Sequence, residues 1–433
     1  MRSGEDRVGA LKSLPARRLF LRQLFDAAVA ASDPMRVIPK ALPARPAGRV
    51  IVIGAGKASA RMAEAVEARW GPCEGLVITR DGYGRYLQGV EVAEAAHPVP
   101  DVRGLEATRR MFDLLDQCGE EDFVLALISG GGSSLLTWPA GDVTLEEERA
   151  MTQALLASGA PITAMNALRK HLSRAKGGNL AAAAWPARML SLIVSDVPGD
   201  DPAMIASGPT VIDDTTQREA REIARRWNIP LSPSMQAVLD GHSTTVSKGD
   251  IRISRTENRI VAAPALSLQA AADLARFAGV SVRILGDAIE GEARDVAADH
   301  AKIALEAQAG LAVDEVTLLL SGGECTVTQR GRGIGGPNAE YCLALSCALD
   351  GVAGIAAIAC DTDGVDGAAE VAGALIDETT LQRATSAGLS AQAFLDDNDS
   401  HSFFRRLGDQ IAPGPTLTNV NDFRAMLIFG KSA

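Results

Sequence analysis

The residues of this 433-residue sequence that are best suited to chemistry lie in a loop rich in glycine and serine. An apolar run over residues 123–128 has the length of a strand buried on both faces, and it ends abruptly in Ser129, Gly130, Gly131, Gly132, Ser133 and Ser134. Glycines let a ligand approach the main chain, and the neighbouring hydroxyl and N–H groups can form a cradle for an anion. The alternative is a tight turn that binds nothing.

A second strand followed by a glycine turn covers residues 49–56, with Gly54 and Gly56 at its end and Lys57 directly after it. A buried strand, a glycine turn and a helix are typical of a dinucleotide site, but Ser59 replaces the third glycine of G-x-G-x-x-G. A lysine at the start of a helix suits a phosphate or carboxylate better. A structural turn with an exposed lysine is the alternative.

The densest basic run covers residues 169–176. At helical spacing Arg169, Ser173 and Lys176 share one face, so Arg169 and Lys176 could supply the positive pocket that an acidic protein needs for an anion. A solvated helix face is the ordinary explanation of such a run.

Aspartates follow two of the predicted buried strands. Asp196 comes after residues 189–194, and Asp361, Asp363 and Asp366 come after residues 354–359. Parallel sheets bind ligands at the carboxyl ends of their strands, and carboxylates on tight loops suit Mg²⁺. Asx turns, in which an aspartate bonds its own backbone, are the alternative.

Several classes of protein are excluded or disfavoured. A net charge of −11 argues against nucleic-acid binding. The histidines form no H-x-x-H pair, neither G-x-S-x-G nor a P-loop motif occurs, and no two cysteines form C-x-x-C, which disfavours a zinc site and a disulfide framework. No apolar run approaches the length of a membrane span, and no secretory signal is apparent, so we expect a cytoplasmic protein that does not enter the membrane.

Strands alternating with helices predict an α/β fold with a parallel, doubly wound sheet. We expect two domains, at residues 1–240 and 259–433, joined by a polar linker at 241–258. A fainter strand-and-glycine pattern at residues 316–324 suggests two lobes facing a cleft.

Three local elements are also predicted. Residues 84–104 are predicted to form a long loop. A capping box at Thr144 and Glu147 predicts a helix over 145–157, and Asn338 is predicted to cap a helix over 339–349.

Taken together, these motifs resemble the glycerate 2-kinase, or MOFRL, family over almost the whole chain. The similarity is carried by segments 52–59, 129–135, 166–181, 195–210, 320–327, 331–340, 361–367 and 415–422. The resemblance implies a Rossmann-like domain and a smaller α/β domain containing the MOFRL region at about 315–428. It also implies transfer of the γ-phosphoryl group of ATP to the 2-hydroxyl of D-glycerate with Mg²⁺, and it is compatible with a homodimer.

The resemblance implies roles for individual residues. Lys57 would stabilise charge at the phosphoryl group or the glycerate, and Asp196 would hold Mg²⁺ or orient the attacking hydroxyl, with Asp361 and Asp363 as further metal ligands. Arg332, Asn338 and Glu340 would contribute from a glycine-rich loop at 331–340. This chain has Pro337 where relatives often carry an arginine. If that arginine contacts phosphate in the relatives, either Arg332 substitutes for it here or the contribution of the second lobe differs.

Two other functions stay open. Some members of this family carry the name hydroxypyruvate reductase, from tartrate utilisation, and that reaction would need NAD(P)H; the incomplete G-x-G-x-x-G counts against it. The second is a non-catalytic module that binds a sugar acid or a nucleotide. The density of lysine and carboxylates at the strand ends counts against this function.

Overall fold

A computed structural model of the chain describes residue 9 and residues 11–367 and 369–431. These residues form two compact units. The central unit comprises residues 34–262. The terminal unit combines the described residues up to 33 with those from 263 onward.

The central unit is built on a six-stranded parallel sheet with the order β3-β2-β1-β4-β5-β6. Its strands are β1 (Val50–Ala55), β2 (Glu74–Arg80), β3 (Val90–Ala95), β4 (Phe123–Ser129), β5 (Arg188–Val194) and β6 (Thr256–Ala262). This strand order is that of a doubly wound, Rossmann-like sheet, so the predicted fold class is confirmed.

Helices cover this sheet and its carboxyl edge. They are α2 (Pro34–Ala41), α3 (Ser59–Trp70), α4 (Val102–Leu115), α5 (Gly132–Leu135), α6 (Leu145–Ser158), α7 (Ile162–His171), α8 (Asn179–Ala183), α9 (Gln217–Arg226) and α10 (Pro233–Asp240). The strands β1 and β4 are buried at every residue, as expected for central strands with helices on both faces. The predicted capping box of Thr144 and Glu147 begins α6.

The terminal unit contains a six-stranded mixed sheet in the order β13-β12-β11-β14-β9-β7, in which only β7 and β9 are parallel, and a short two-stranded pair of β8 and β10. The strands are β7 (Ser281–Gly286), β8 (Gly291–Glu292), β9 (Val316–Gly323), β10 (Cys325–Thr326), β11 (Ile355–Asp361), β12 (Gly373–Ile376), β13 (Gln410–Ile411) and β14 (Asp422–Phe429). Its helices are α1 (Leu14–Ala31), α11 (Pro264–Phe277), α12 (Ala293–Gly310), α13 (Pro337–Leu349), α14 (Thr380–Ser386), α15 (Ala391–Asp396) and α16 (Ser400–Leu407).

The first helix belongs to the terminal unit, which corrects the prediction that residues 1–240 form one domain. The apolar face of α1 buries Leu21, Leu24 and Phe25 against α11 and one face of the mixed sheet. Arg17 and Arg18 on the same helix form ion pairs with Glu378 and Asp377. The helix packs where its apolar face is buried, against residues that are distant in the sequence. Local periodicity predicts the apolar face but not the partner that covers it.

The polar segment predicted as a linker is part of the central unit. Asn179 at the start of α8 donates a hydrogen bond to the carbonyl of Thr244 at 2.7 Å. The Val246 N–H donates to the Gly177 carbonyl at 2.8 Å, and β6 then pairs with β5. The polar residues of this segment are therefore part of the surface of the central unit and are hydrogen-bonded to it. They do not form a connection between domains.

Two other local predictions were wrong. The segment predicted as a long loop contains β3, whose alternating sequence V-E-V-A-E-A suits an edge strand, and the start of α4. The helix predicted to begin after Asn338 begins at Pro337. None of the helices in the described part of the chain is both long and apolar enough to span a membrane.

Candidate active site

The candidate site lies at the carboxyl edge of the parallel sheet. The chain passes from β1 to β2 on one side and from β4 to β5 on the other, so the neighbouring strands β1 and β4 flank the topological switch point. Open α/β sheets bind their ligands in the crevice at this point. Lys57 follows β1, and the glycine–serine loop follows β4.

Hydrogen bonds join these two loops. The Lys57 N–H donates to the carbonyl of Gly130 at 2.9 Å, and the Ala58 N–H donates to the Ser129 hydroxyl at 3.0 Å. Because Ser129 is fully buried, its hydroxyl holds the loops together and does not face a ligand. A Cβ on Gly56 would lie 2.1 Å from the same hydroxyl oxygen, so Gly56 is needed for this close packing.

Gly54 also has a packing function. It lies inside β1, where a Cβ would come within 2.2 Å of the carbonyl oxygen of Leu127 on β4. Gly54 and Gly56 therefore let two strand ends approach each other. This explains the G-x-G sequence without a dinucleotide.

Three chemically active side chains surround Gly130 and Gly131. A Cβ on Gly130 would lie 1.7 Å from the carboxylate oxygen Oδ2 of Asp196, which follows β5. A Cβ on Gly131 would lie 3.0 Å from Nε2 of His97 and 3.2 Å from Cγ of Lys57. Lysine, histidine and aspartate thus come from three different strand ends to one pair of glycines. Doubly wound folds bind their ligands at such strand ends, so this cluster is the candidate active site.

His97 is a member of this cluster that no sequence motif indicates. It lies two residues beyond the end of β3, the strand within the segment predicted to be a loop. Recognition of β3 as a parallel strand would have placed His97 at the same sheet edge as Lys57 and Asp196.

A segment with unusual backbone conformation supports the glycine loop from another side. Ala206, Ser207 and Gly208 are consecutive residues in the left-handed region, with φ of 51°, 61° and 59°. Non-glycine residues in this region cost about 1–3 kcal/mol each and are concentrated at functional sites. A Cβ on Gly132 would lie 2.7 Å from the Cβ of Ala206, so the two segments are in close contact.

The remaining serines of the loop are partly exposed. The Ser134 hydroxyl donates to the Gly131 carbonyl at 3.2 Å and stabilises the turn. The Ser133 hydroxyl lies 2.7 Å from that of Ser207 in the left-handed segment. Ser207 is a second functional candidate that spacing in the sequence did not suggest.

The basic run does not form the predicted positive pocket. Lys176 is 1 % exposed, and its ammonium donates to the Leu136 carbonyl at 2.9 Å and lies 3.6 Å from Glu148. Burial lowers the pKa of Lys176. Lys176 therefore supports the end of the glycine–serine loop from inside the unit. Arg169 is half-buried on α7, and burial lowers the pKa of its guanidinium.

In the terminal unit, the glycine-rich loop at 330–336 is held by the segment 397–399. The N–H groups of Arg330 and Gly331 donate to the Asn398 side-chain oxygen at 2.7 and 3.0 Å, and that of Arg332 donates to the Asp397 carboxylate at 2.9 Å. The Ile334 N–H donates to the Asp399 carboxylate at 3.1 Å. These backbone amides are already used, so a phosphate could be bound here by the exposed Arg332 side chain and not by a cradle of main-chain N–H groups.

The glycines of this loop serve the same packing. A Cβ on Gly331 would lie 2.3 Å from the Asp397 Cα, and one on Gly333 would lie 2.3 Å from the Asp399 Cβ. A Cβ on Gly336 would lie 2.4 Å from the carboxyl carbon of Asp366. The glycines let one backbone lie directly on another.

Asn338 and Glu340, predicted to bind substrate, are fully buried within the terminal unit. Asn338 donates its side-chain N–H to Asp422 at 2.6 Å, and Glu340 forms an ion pair with Arg294 at 2.6 Å. The first turn of α13 is capped by Asp366 and not by Asn338. The Asp366 carboxylate accepts the backbone N–H groups of Asn338 and Ala339, each at 2.9 Å. Burial raises the pKa of Asp366 to about 7. Asn338 and Glu340 therefore stabilise the base of the loop.

Asp361 and Asp363 form Asx turns, the alternative to a metal site that the sequence left open. The Asp361 carboxylate accepts the N–H of Asp363 at 2.8 Å, and the Asp363 carboxylate accepts the N–H of Val365 at 2.8 Å. Among the described residues there is no group of three or more His, Cys, Asp or Glu side chains arranged to hold a metal ion. Asp363 is 1 % exposed, whereas Asp361 is partly exposed.

Comparison with known proteins identifies the family. A family described as a domain of unknown function (DUF4147) matches residues 20–240, and the MOFRL family matches residues 317–422. A D-glycerate 2-kinase of Thermotoga maritima is 35% identical over 405 residues, which cover 92% of this chain and 95% of that protein. An Agrobacterium vitis protein provisionally named hydroxypyruvate reductase is 50% identical over 416 residues, 95% of this chain and 94% of that protein.

A solved structure gives the same result. The crystal structure of a glycerate kinase from Thermotoga maritima superposes with a TM-score of 0.86 at 35% sequence identity, covering 96% of this chain and all of that one. The fold is that of an α/β enzyme of the phosphotransferase class. The chain belongs to the glycerate kinase family that carries the MOFRL domain.

Proposed function

We propose that this protein transfers the γ-phosphoryl group of ATP to the 2-hydroxyl of D-glycerate in the presence of Mg²⁺, giving 2-phosphoglycerate and ADP. The observation that supports this most directly is the cluster of Lys57, His97 and Asp196 around Gly130 and Gly131 in a chain of this family. Phosphoryl transfer asks a protein chiefly to position the reactants and neutralise developing charge, and such a cluster can do both.

The proposed roles follow from charge and position. Lys57, at the carboxyl end of β1, would stabilise negative charge on the transferred phosphoryl group. Asp196, beside Gly130, would orient the attacking 2-hydroxyl and accept its proton, or would hold Mg²⁺. When bound, Mg²⁺ would neutralise phosphate oxygens. In the terminal unit, Arg332 is proposed as a further phosphate ligand because its side chain is exposed on a loop held in a defined conformation.

The reductase alternative is supported by the provisional name of the Agrobacterium vitis relative. Two observations favour the kinase. The space beside Gly56, where a dinucleotide pyrophosphate would approach, contains the hydroxyl and the main chain of Ser129. Asp81, which follows β2 where an acidic residue would bind a ribose, forms a bidentate ion pair with Arg103 at 2.6 and 2.8 Å.

The test is a pair of assays on the purified protein. The first contains D-glycerate, ATP and Mg²⁺, and its product is read through enolase, which accepts 2-phosphoglycerate and not the 3-isomer. The second contains hydroxypyruvate and NADH. We expect a signal in the first assay only. A signal confined to the second would replace the kinase by the reductase, and a product that only 3-phosphoglycerate-specific coupling detects would move the reaction to the other hydroxyl.

A further inference from the structure

Behind the glycine–serine loop lies a chain of hydrogen bonds in which the donor and the acceptor of each bond are fixed. The side-chain N–H of Asn166 on α7 donates to the Met204 carbonyl at 2.9 Å. A carbonyl oxygen can only accept, so this contact determines which end of the Asn166 amide is nitrogen. The Asn166 oxygen then faces the hydroxyl of Ser207 and accepts its hydrogen at 2.9 Å.

The same reasoning fixes which hydroxyl donates at the glycine–serine loop. A serine hydroxyl has one hydrogen, and that of Ser207 is given to Asn166. The contact of 2.7 Å between the hydroxyls of Ser133 and Ser207 therefore requires Ser133 to donate and Ser207 to accept. Ser133 has then used its only hydrogen, and its hydroxyl can offer nothing but oxygen lone pairs to a ligand.

The surroundings show that this arrangement is held firmly. Asn166 is 2 % exposed and Ser207 is fully buried, while Ser133 is partly exposed at the loop. Ser207 is kept in the left-handed region at φ 61°, and its carbonyl accepts the N–H of Gly177 at 3.1 Å. The orientation of Ser133 is thus imposed by buried groups, and a ligand that needed a hydrogen from Ser133 would have to break its partly buried hydrogen bond to Ser207.

A phosphate or carboxylate oxygen requires hydrogen-bond donors, whereas a neutral hydroxyl can donate. We propose that Ser133 accepts a hydrogen bond from the non-reacting hydroxyl of the hydroxy-acid substrate, and that Ser207 and Asn166 are positioning residues that keep it an acceptor. The inference rests on the proposed function, because the hydroxyl at the 2-position is assigned there to phosphoryl transfer and the 3-hydroxyl of D-glycerate is the one left to recognise. It moves Ser133 from the predicted anion cradle to the selection of the acid.

The test compares D-glycerate with D-lactate, which lacks only the 3-hydroxyl. Binding of each acid and of ATP is measured by calorimetry on the wild-type protein and on Ser133→Ala, Ser133→Thr and Ser207→Ala. We expect the wild type to bind D-glycerate at least tenfold more tightly than D-lactate. A site built to pair a substrate hydroxyl rejects an analogue without it because its polar group is left without a partner.

Ser133→Ala should bring the two acids within about threefold of each other, through weaker binding of D-glycerate, and should leave ATP affinity within about twofold. Ser133→Thr keeps the hydroxyl and should retain most of the preference. Ser207→Ala should reduce it, because Ser133 is then free to turn and donate. Ser158→Ala, at the end of α6, is the control and should match the wild type.

The inference is wrong if Ser133→Ala keeps the wild-type ratio of the two acids, or if its main effect is on ATP. Because the readout is binding, these outcomes do not depend on turnover. A wild type that phosphorylates D-glycerate but shows an unchanged ratio in Ser133→Ala would overturn this inference alone. A wild type that binds neither acid would overturn it together with the proposed function.

Discussion

Lys57 carries the positive charge of the cluster at the sheet edge, and its backbone N–H is already held by the carbonyl of Gly130. Lys57→Ala removes the charge and leaves the backbone contact in place. We expect kcat for glycerate phosphorylation to fall by about 10²–10³-fold, as for the loss of one preorganised group that stabilises a transition state. The melting temperature should stay near that of the wild type.

The control for Lys57 is Lys248→Ala, an exposed lysine of the same unit, which should change neither turnover nor stability. If Lys57→Ala retained wild-type turnover, the lysine would have no part in the mechanism and another cation would have to be sought.

Gly131 and Gly159 form a matched pair for testing the crowding of the site. Both have left-handed φ, 77° and 70°, so alanine strains each backbone by about 1–2 kcal/mol. A Cβ at Gly131 would contact His97 and Lys57, whereas at Gly159 it would meet nothing within 4 Å. We expect similar losses of stability in the two alanine variants, measured by denaturant unfolding, but a loss of activity only in Gly131→Ala. Equal activities would mean that the neighbourhood of Gly131 does not matter for turnover.

At the scale of elements, the segment 397–399 holds the glycine-rich loop of the terminal unit. Asn398 is 1 % exposed, accepts two backbone N–H groups of the loop and donates to the buried carboxylate of Glu340 at 3.0 Å. Asn398→Ala would leave these groups without their partner, so we expect the free energy of unfolding to fall by about 2–4 kcal/mol.

Amide hydrogen exchange is the discriminating measurement for Asn398→Ala. Exchange at residues 330–334 should accelerate more than exchange in the core strands β9 and β14. Gln392→Ala, on the exposed side of α15, provides the control. Uniform acceleration across the terminal unit would show that Asn398 supports the fold in general and not this loop.

The elements also show how far local patterns reach. The strands β1 and β4 and the capping box of α6 were predicted because each depends on neighbouring residues: an unbroken apolar run, or two side chains three residues apart. The edge strand β3 was missed because alternating residues at the border of a sheet resemble a polar loop. His97 was missed with it.

At the scale of the whole molecule, a buried histidine predicts how stability changes with pH. His300 is 4 % exposed, its Nδ1 lies 2.8 Å from the hydroxyl of Tyr341, and burial together with the charge of Arg424 lowers its pKa from 6.5 to about 4. Above pH 6.5 the imidazole is neutral in both the folded and the unfolded chain. Between pH 6.5 and 4 only the unfolded chain binds the proton, so folding stability falls as the pH falls.

The lowering of the His300 pKa from 6.5 to about 4 corresponds to a loss of about 3 kcal/mol of folding stability on acidification, at 1.36 kcal/mol per pKa unit. His300→Gln should therefore lose less stability than the wild type between pH 7 and 4.5, measured by denaturant unfolding at each pH. His242→Gln, in which an exposed histidine is replaced, should follow the wild-type curve. Parallel curves for wild type and His300→Gln would show that His300 does not carry the acid sensitivity.

The α/β class, the central strands and the loops that follow them could be predicted from the amino-acid sequence, because apolar runs and glycine turns are properties of adjacent residues. What each of those residues does depends on the folded structure. Ser129, Lys176 and Glu340 have the chemistry of ligand-binding groups, yet each is buried and hydrogen-bonded or ion-paired within its own unit. Burial depends on residues far away in the chain, and so does the assignment of α1 to the terminal unit. Spacing along the sequence cannot specify those partners, because folding brings them together.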